Sequence, residues 1–163
     1  MIVRPAGERD HAAIADLWNP VIRDTTIIFH DELRDAAMVG AIIAARRAAG
    51  HEFLVAEDDG GGLAGFASYS QFRAGSGYAH ALEHSIILAE GARGQGIGRA
   101  LMARLEDHAR AGGGHRLFAG VSGENAAGVA FHQRLGFRTL AVIPEAGRKF
   151  GRWLDLVLMM KEL

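Results

Sequence analysis

Three glycines and two arginines follow an apolar run near the middle of the chain, in the segment Arg93-Gly94-Gln95-Gly96-Ile97-Gly98-Arg99. The order of apolar run, glycine-rich segment and amphipathic pattern predicts a strand, a loop and a helix whose N-terminus faces the loop. Backbone N–H groups that no side chain shields can approach a phosphate closely. The arginines and the helix dipole add positive potential. The segment therefore predicts a pyrophosphate-binding loop.

Two other phosphate-binding loops fit this segment less well. The P-loop of nucleotide hydrolases requires Gly-Lys-Ser/Thr, a triplet that the chain lacks. A dinucleotide-binding fingerprint has Gly-x-Gly-x-x-Gly at the start of a βαβ unit, whereas the glycines here have another spacing and lie past the middle of the chain. A flexible connection that binds nothing is the purely structural alternative.

The composition is that of a globular protein with a net charge close to zero, so that any basic patch must be local. The chain has 163 residues, with 18 basic against 19 acidic side chains and no cysteine. We expect one domain over residues 1–163 and no nucleic-acid partner, since a large nucleic-acid footprint needs an excess of basic residues. The lack of cysteine excludes thiolate catalysis and disulfides. The N-terminus has no signal-peptide pattern and no apolar run has membrane-spanning length, so we expect a cytoplasmic protein without a membrane partner.

Apolar periodicity and turn residues predict alternating helices and strands. The predicted helices cover residues 9–22, 35–49, 97–111 and 124–135. The predicted strands cover residues 2–4, 53–56, 63–69, 78–89, 117–121, 137–143 and 153–160. Because helices interleave with hairpins, we expect an α/β protein of the α+β type, with a mixed sheet covered on both faces.

Two motifs resemble the GNAT superfamily of acyl-CoA N-acyltransferases. Arg93-Gly94-Gln95-Gly96-Ile97-Gly98 resembles its Arg/Gln-x-x-Gly-x-Gly/Ala motif, and residues 124–137 resemble its second cofactor motif, an Asn followed by an amphipathic helix and Gly-Phe. Over nearly the whole chain the sequence is similar to the phosphinothricin and methionine sulfoximine acetyltransferases. The most specific matches are residues 24–29, 71–73, 82–85 and 147–155.

This resemblance implies a fold, a reaction and an assembly. The fold is the GNAT fold, a mixed sheet of about seven strands with helices on both faces. The reaction is the acetyl-CoA-dependent acetylation of the α-amine of a small amino-acid-like substrate. The partner is a second copy of the chain, in a homodimer. His80 and His84 could suggest a metal, but no carboxylate-rich cluster joins them, so we expect none.

Acetyl transfer to an amine needs an uncharged nitrogen, an oriented thioester and a proton for the departing thiolate. The resemblance implies Glu83 as the base, acting through a water. It also places His132 where many members carry a tyrosine that protonates the thiolate, and imidazole can donate a proton near neutrality. The structural alternatives are a solvated or salt-bridged strand glutamate and a packed or exposed helix histidine.

The remaining candidates bind the two substrates. For the cofactor they are the main chain of Ile86, Ile87 and Leu88, the residues Arg93, Gly94, Gln95, Gly96, Ile97, Gly98 and Arg99, and Asn125. A backbone N–H near Ile87 or Leu88 is the candidate oxyanion donor, and a β-bulge there could free it.

Arg73 is the candidate anchor for the substrate carboxylate, because a guanidinium binds a carboxylate through two parallel hydrogen bonds. The other substrate candidates are Phe29, Phe72, Gly75, Ser76, Gly77, Tyr78, Ser85 and Lys149, and Trp153 closes the pocket or a dimer contact. Each aromatic residue among them is equally explicable as core. Two further functions stay open, acetylation of another amine (a peptide N-terminus, a polyamine or an aminoglycoside) and acyl-CoA sensing without turnover.

Overall fold

A single mixed sheet forms the centre of the computed structural model, which describes residues 1–163. Its seven strands lie in the order β1-β2-β3-β4-β5-β7-β6. They are β1 (Ile2–Pro5), β2 (Phe53–Glu57), β3 (Leu63–Gln71), β4 (Ala81–Leu88), β5 (Arg116–Ser122), β6 (Arg138–Lys149) and β7 (Arg152–Glu162). Neighbours are antiparallel except β4 and β5, which are parallel. The predicted mixed sheet is confirmed.

Helices cover both faces of the sheet. They are α1 (His11–Asp24), α2 (Ala36–Ala48), α3 (Ile97–Ala111) and α4 (Ala126–Arg134). α1 and α2 pack on one face over a core that includes Ile14 and Trp18, whereas α3 packs on the other over Leu101 and Leu105. No helix is both long enough and apolar enough to span a lipid bilayer.

Two predicted strand boundaries are wrong by more than two residues. β4 begins at Ala81 instead of residue 78, because Ser76–Tyr78 form a short 3₁₀ turn. β6 extends to Lys149 instead of ending at residue 143, and its pairing with β7 shifts register between Ile143 and Gly147. The glycine and charged residues of this stretch are typical of a loop, and only the pairing with β7 makes it a strand.

The two central strands separate along their length. β4 and β5 pair only from Ala81↔Arg116 to Glu83↔Phe118. β4 nevertheless keeps an unbroken register with β3 as far as Gly65↔Leu88. The suggested β-bulge is therefore absent, and a wedge-shaped gap between β4 and β5 takes its place.

The gap leaves two backbone donors of β4 without a strand partner. Ala89 donates its N–H to Ala64 on the β3 side, at 2.9 Å. Since N–H directions alternate along a strand, the amide of Ile87 also faces β3, whereas those of Ile86 and Leu88 face the gap. Of the two oxyanion donors suggested above, only Leu88 has the required direction.

Candidate active site

The gap opens into a cavity of about 510 Å³. Its walls come from the segment after α1, from the diverging parts of β4 and β5, and from α4. The lining residues are Trp18, Ile27, Ile28, Phe29, His30, His84, Ser85, Ile86, Ile87, Ala119, Gly120, Val121, Asn125, His132 and Leu156. A cavity of this size suits a small molecule. It brings together Phe29, Ser85, Ile86, Ile87, Asn125 and His132 of the predicted site.

Glu83 lies on β4 where the strands part, and its side chain reaches over β5. Its Oε1 lies 3.2 Å from the point where a Cβ on Gly120 would stand, so the missing side chain of Gly120 makes room for the carboxylate. Burial raises the pKa of the Glu83 carboxyl above its usual value, and the positive charge of Arg46 offsets part of that effect. A carboxylate with a raised pKa is a better proton acceptor near neutral pH than a solvated one.

An aromatic pair lies beside Glu83. Phe72 stacks on Phe118 with ring centroids 4.1 Å apart and planes inclined by 12°. Phe118 is also the register partner of Glu83 in the last β4–β5 pair. Phe72 therefore belongs to the apolar surroundings of the Glu83 carboxylate. Contact of Phe72 with the substrate stays a prediction.

His132 is paired with a second histidine on the α3 side of β4. Its Nδ1 lies 2.7 Å from the carbonyl oxygen of Gly128, and its Nε2 lies 3.1 Å from Nε2 of His84. Because a carbonyl only accepts, the proton of a neutral His132 is on Nδ1 and its Nε2 accepts from His84. Burial lowers the pKa of both rings, that of His84 to about 3. The neutral pair offers no free N–H to the cavity.

Asn125 stands at the N-terminus of α4 and lines the same cavity. Its Oδ1 accepts the backbone N–H of Gly128 at 2.9 Å, as an N-cap residue does. Gly128 is itself packed against the amide, since a Cβ there would lie 2.4 Å from Nδ2 of Asn125. Oδ1 is thus fixed by the helix, and the Nδ2 group is the part of this side chain that a ligand amide could use.

The glycine-rich loop has the geometry that a diphosphate needs. Gly94 and Gly96 have φ of 76° and 81°, and the space where their side chains would stand is open. α3 begins at Ile97, so the first backbone N–H groups of the helix point into the loop without intrahelical partners. Gln95 donates to the carbonyl oxygen of Gly91 at 2.6 Å and so closes the turn. These residues fit the diphosphate of coenzyme A.

The other loop residues do different work. Gly98 faces inward, because a Cβ there would lie 3.0 Å from the Phe131 ring of α4. The absent side chain allows α3 to pack closely on α4, and the backbone N–H of Gly98, in the first turn of α3, stays a predicted phosphate contact. Arg93 and Arg99 are exposed on either side of the loop. Both lie where they can add positive charge to the loop.

The segment between α1 and α2 forms the wall opposite β4. Phe29 contributes to it, and Gly147 of β6 allows its position, since a Cβ there would fall 2.2 Å from the Phe29 ring. Lys149 anchors the same segment. Its ammonium is buried and donates to the carbonyl oxygens of Ile22, Thr25 and Ile28. All three N–H donors of Lys149 are thereby used, so the structure places it behind the wall instead of in contact with a substrate.

The predicted carboxylate anchor lies outside the cavity. Arg73, Gly75, Ser76, Gly77 and Tyr78 form an exposed turn between β3 and β4. Gln71 organises this turn, because its Nε2 donates to the carbonyls of Arg73 and Gly75, both at 2.6 Å. The Arg73 guanidinium lies 5.4 Å from the Tyr78 ring centroid. Trp153 is likewise exposed, on the β6–β7 hairpin.

Several residues that line the cavity are not identified as site residues from the sequence. Trp18 and His30 come from α1 and the segment after it, and Gly120 from β5. Apolar periodicity predicts Trp18 as a core residue, and no sequence pattern indicates that His30 and Gly120 line a cavity. The sequence indicates no role for His84 beyond that of a possible metal ligand, whereas the structure pairs it with His132. The structure contains no group of three or more His, Cys, Asp or Glu side chains placed to hold a metal ion.

The sequence is similar to those of known acetyltransferases. The model of the family described as "Acetyltransferase (GNAT) family" matches residues 12–137. The L-amino acid N-acyltransferase MnaT of Escherichia coli is 40% identical over 163 residues, which cover 100% of this chain and 94% of that protein. An L-methionine sulfoximine/L-methionine sulfone acetyltransferase of Salmonella typhimurium is 38% identical, with coverage of 100% and 95%.

Solved structures are similar over the same extent. A ribosomal-protein-alanine N-acetyltransferase from Brucella melitensis has a TM-score of 0.95 at 39% identity, and the alignment covers 100% of both chains. The acetyltransferase YncA from Salmonella typhimurium, solved with acetyl-CoA, has a TM-score of 0.94 at 38% identity, with 99% of this chain and 93% of that chain covered.

Proposed function

The chain belongs to the GNAT family of acetyltransferases, and on that premise we propose that it acetylates the α-amine of small free amino acids, with acetyl-CoA as donor. Methionine sulfoximine, methionine sulfone and phosphinothricin are the proposed substrates. The Salmonella relative is named for the first two, and the resemblance to the phosphinothricin enzymes supports the third. Residues 1–163 form one acetyltransferase domain in this proposal.

One observation carries the proposal. The bare amides of Ile86 and Leu88 line the gap between β4 and β5, and the half-buried carboxylate of Glu83 lies where that gap begins. The glycine loop at the start of α3 would hold the diphosphate, and Asn125 the pantetheine arm. Acetyl-CoA, when bound, supplies the acetyl group as an activated thioester. Its reactive end and the amine would then meet beside Glu83.

Glu83 then prepares the nucleophile. Through a water molecule it takes the proton of the substrate ammonium group, which frees the nitrogen to form the new C–N bond. The Leu88 N–H is directed toward the gap and stabilises negative charge on an acyl oxygen there. The C–S bond breaks, and the departing thiolate takes up a proton. Alignment of the two reactants supplies the larger part of the rate enhancement, on the order of 7–11 kcal/mol in favourable cases.

His132 is a weaker candidate for the final proton than the sequence indicates. The Nε2 atom that would donate already accepts from His84, and burial opposes adding a second proton to the pair. For His132 to act as the acid, the bond to His84 must break first. We therefore propose that His132 shapes the cavity wall and that solvent supplies most of the protons to the thiolate.

A homodimer is part of the proposal. Val142, Phe150 and Trp153 are exposed together on the β6–β7 hairpin, at 56%, 57% and 57%. Large apolar side chains grouped on one surface are typical of a protein–protein contact. A cytoplasmic location stays a prediction.

An assay of thiol release tests the function. Purified protein with acetyl-CoA should release coenzyme A when L-methionine sulfoximine or L-methionine sulfone is added, and Glu83→Gln should reduce kcat about 100-fold with little change in coenzyme A affinity. A protein that binds coenzyme A but releases no thiol with any amine would be a sensor instead. Turnover of polyamines or aminoglycosides alone would overturn the substrate class and leave the family unchanged.

A protein N-terminus is the second candidate acceptor. The similarity to the structure named as a ribosomal-protein-alanine N-acetyltransferase favours it. A peptide beginning with alanine, assayed beside the free amino acids, separates the two, since only one of them carries a carboxylate next to the reacting amine.

A further inference from the structure

Arg34 carries hydrogen-bond donors that nothing in the protein uses. It lies just before α2 and is half-buried, and its Nε is buried without a hydrogen-bond partner. The nearby carboxylates of Asp31, Glu32 and Asp35 form no ion pair with it. Asp35 instead accepts the N–H of Met38 at 2.8 Å, as the N-cap of α2. A buried donor without a partner is costly, because its hydration is lost without compensation.

The Arg34 guanidinium lies against the cavity wall. Its carbon is 4.5 Å from the Trp18 ring centroid, and its Nη2 is 3.4 Å from Nε2 of His30. Trp18 and His30 both line the cavity. The backbone of Arg34 is fixed as well, because Asn19 of α1 accepts its N–H at 2.9 Å and donates to its carbonyl oxygen at 2.8 Å. The charged group is therefore held at the edge of the cavity.

His30 adds a second donor at the same edge. A guanidinium only donates, so Nε2 of His30 accepts from Arg34 and the proton of the neutral ring is on Nδ1. Partial burial, together with the positive charges of Arg34 and Lys149, lowers the pKa of His30 and keeps its ring neutral near pH 7. Arg34 and His30 thus present N–H groups and no acceptor, which suits a charged or strongly polarised oxygen of a ligand.

The position of these donors indicates which part of a substrate reaches them. The amine reacts beside Glu83, where β4 and β5 part, and the α-carboxylate is bonded to the same carbon atom as the amine. Arg34 and His30 belong to the wall opposite β4, so the far end of the amino-acid side chain is the group that reaches them. Methionine sulfone, methionine sulfoximine and phosphinothricin each carry polarised oxygens there, on a tetrahedral sulfur or phosphorus atom.

We infer that Arg34 and His30 bind the side-chain oxygens of the substrate and so select a sulfone, sulfoximine or phosphinate over a thioether. This inference rests on the proposed function and names the side-chain specificity of that same site. Oxygens bound to sulfur or phosphorus accept from the guanidinium and the imidazole N–H. A thioether sulfur is a weak acceptor and leaves these donors without partners.

The test compares two amino acids that share one carbon–sulfur skeleton. L-Methionine sulfone carries two side-chain oxygens, and L-methionine carries none. For the wild type we expect kcat/KM to be at least about tenfold higher for the sulfone. Arg34→Gln should reduce kcat/KM for the sulfone roughly 10- to 100-fold and leave methionine within about threefold. Phosphinothricin, whose phosphinate is an anion, should lose at least as much as the sulfone.

Controls separate oxygen binding from folding. Arg23→Gln changes an exposed arginine of α1 that pairs with Asp24 at 2.8 Å, and it should alter neither substrate. His30→Phe keeps an aromatic ring without the N–H and should lower kcat/KM for the sulfone alone, by less than Arg34→Gln does. Should Arg34→Gln fail to fold, Arg34→Lys keeps the positive charge and should still weaken the sulfone selectively, because an ammonium lacks the planar, two-pronged geometry.

Calorimetry adds a readout without turnover. L-Methionine sulfone titrated into protein saturated with coenzyme A should bind Arg34→Gln at least about tenfold more weakly than the wild type, whereas L-methionine should bind both alike. The inference is overturned if Arg34→Gln weakens the two amino acids equally, since the lost contact would then be to the α-carboxylate or to the fold. A wild type that does not distinguish them overturns it as well. If the wild type turns over neither amino acid, the proposed function fails, and the calorimetry still reports whether Arg34 selects the oxygens.

Discussion

At the scale of single residues, one missing methyl group sets the position of the base. The Glu83 carboxylate occupies space that a side chain on Gly120 would restrict, with Oε1 3.2 Å from the would-be Cβ. We predict that Gly120→Ala displaces the carboxylate by a few tenths of an ångström and reduces kcat about tenfold, because misplaced catalytic groups lose rate steeply.

The measurement is steady-state kinetics together with the free energy of unfolding. Gly112→Ala, at the end of α3, is a matched control, since a Cβ there meets only ordinary contacts at 3.6 Å. An unchanged kcat in Gly120→Ala would show that Glu83 is not placed by this contact.

The raised pKa of Glu83 predicts a pH dependence. Only the ionised carboxylate accepts a proton, so kcat/KM falls as pH drops through the pKa of Glu83. Burial moves that acidic limb above 4.5, the ordinary glutamate value. Removing the positive charge in Arg46→Gln should shift the limb further upward. A limb that persists unchanged in Glu83→Gln would assign it to another group.

The sequence identifies some site residues and not others for a physical reason. Glu83 and the glycine loop belong to continuous motifs, so local pattern alone is enough to name them. Trp18 and His30 line the cavity only because α1 and the segment after it pack against the central sheet. Such placements depend on contacts between elements distant in sequence, and no local periodicity encodes them.

At the scale of elements, Lys149 connects the β6–β7 hairpin to the wall of the cavity. Its ammonium donates to three carbonyls in and just before that wall. We predict that Lys149→Met lowers the free energy of unfolding by about 3 kcal/mol, since buried acceptors lose a charged donor. The loosened wall should also raise KM for the amino acid several-fold.

Lys161→Met is the matched control for this change. Lys161 donates to the carbonyl of Leu135 at 2.7 Å and to Glu106 at 2.9 Å, away from the cavity. It should lose stability without a change in KM. Denaturant unfolding and initial rates measure the two effects, and an unchanged KM in Lys149→Met would separate the hairpin from substrate binding.

Strand boundaries depend on pairing between strands, which sequence patterns within one element do not show. The helices, the first hairpin and β5 follow from periodicity and turn residues. The extension of β6 to Lys149 does not, because Pro144-Glu145-Ala146-Gly147 is a typical loop sequence. Its strand conformation comes from β7, whose pairing partners include Trp153 and Leu154.

At the scale of the whole molecule, the buried histidine pair couples folding to pH. Unfolded His84 binds a proton near its ordinary pKa of 6.5, whereas in the folded protein its pKa is about 3. The unfolded state therefore binds more protons between these values, and stability is complete above 6.5 and lost as pH falls below it.

We predict that the wild type loses about 1 kcal/mol more stability between about pH 7.5 and pH 5.5 than His84→Phe does. Denaturant unfolding at both pH values measures this difference. His115→Gln, which removes an exposed histidine, should keep the wild-type dependence. Equal dependence in His84→Phe and the wild type would mean that His84 titrates normally in the folded protein.

The assembly prediction also belongs to the whole molecule. Light scattering after size exclusion should show a dimer, and Val142→Asp should convert it to a monomer, because a charge in an apolar contact is poorly tolerated. Ile2→Asp places the same charge on β1, the opposite edge of the sheet, and should leave the mass unchanged. A monomeric wild type would contradict the proposed homodimer.

Because β4 and β5 diverge, the sheet consists of two half-sheets that are joined by only three residue pairs. Amides at Ile86 and Leu88 lie at the centre of the molecule, yet they should take up deuterium as readily as those on a free edge. A thioester ligand bound in the gap would supply hydrogen-bond partners for the unpaired part of these strands and so join the two half-sheets. Ligand binding would then complete the central sheet, and slower deuterium exchange at Ile86 and Leu88 would report that binding.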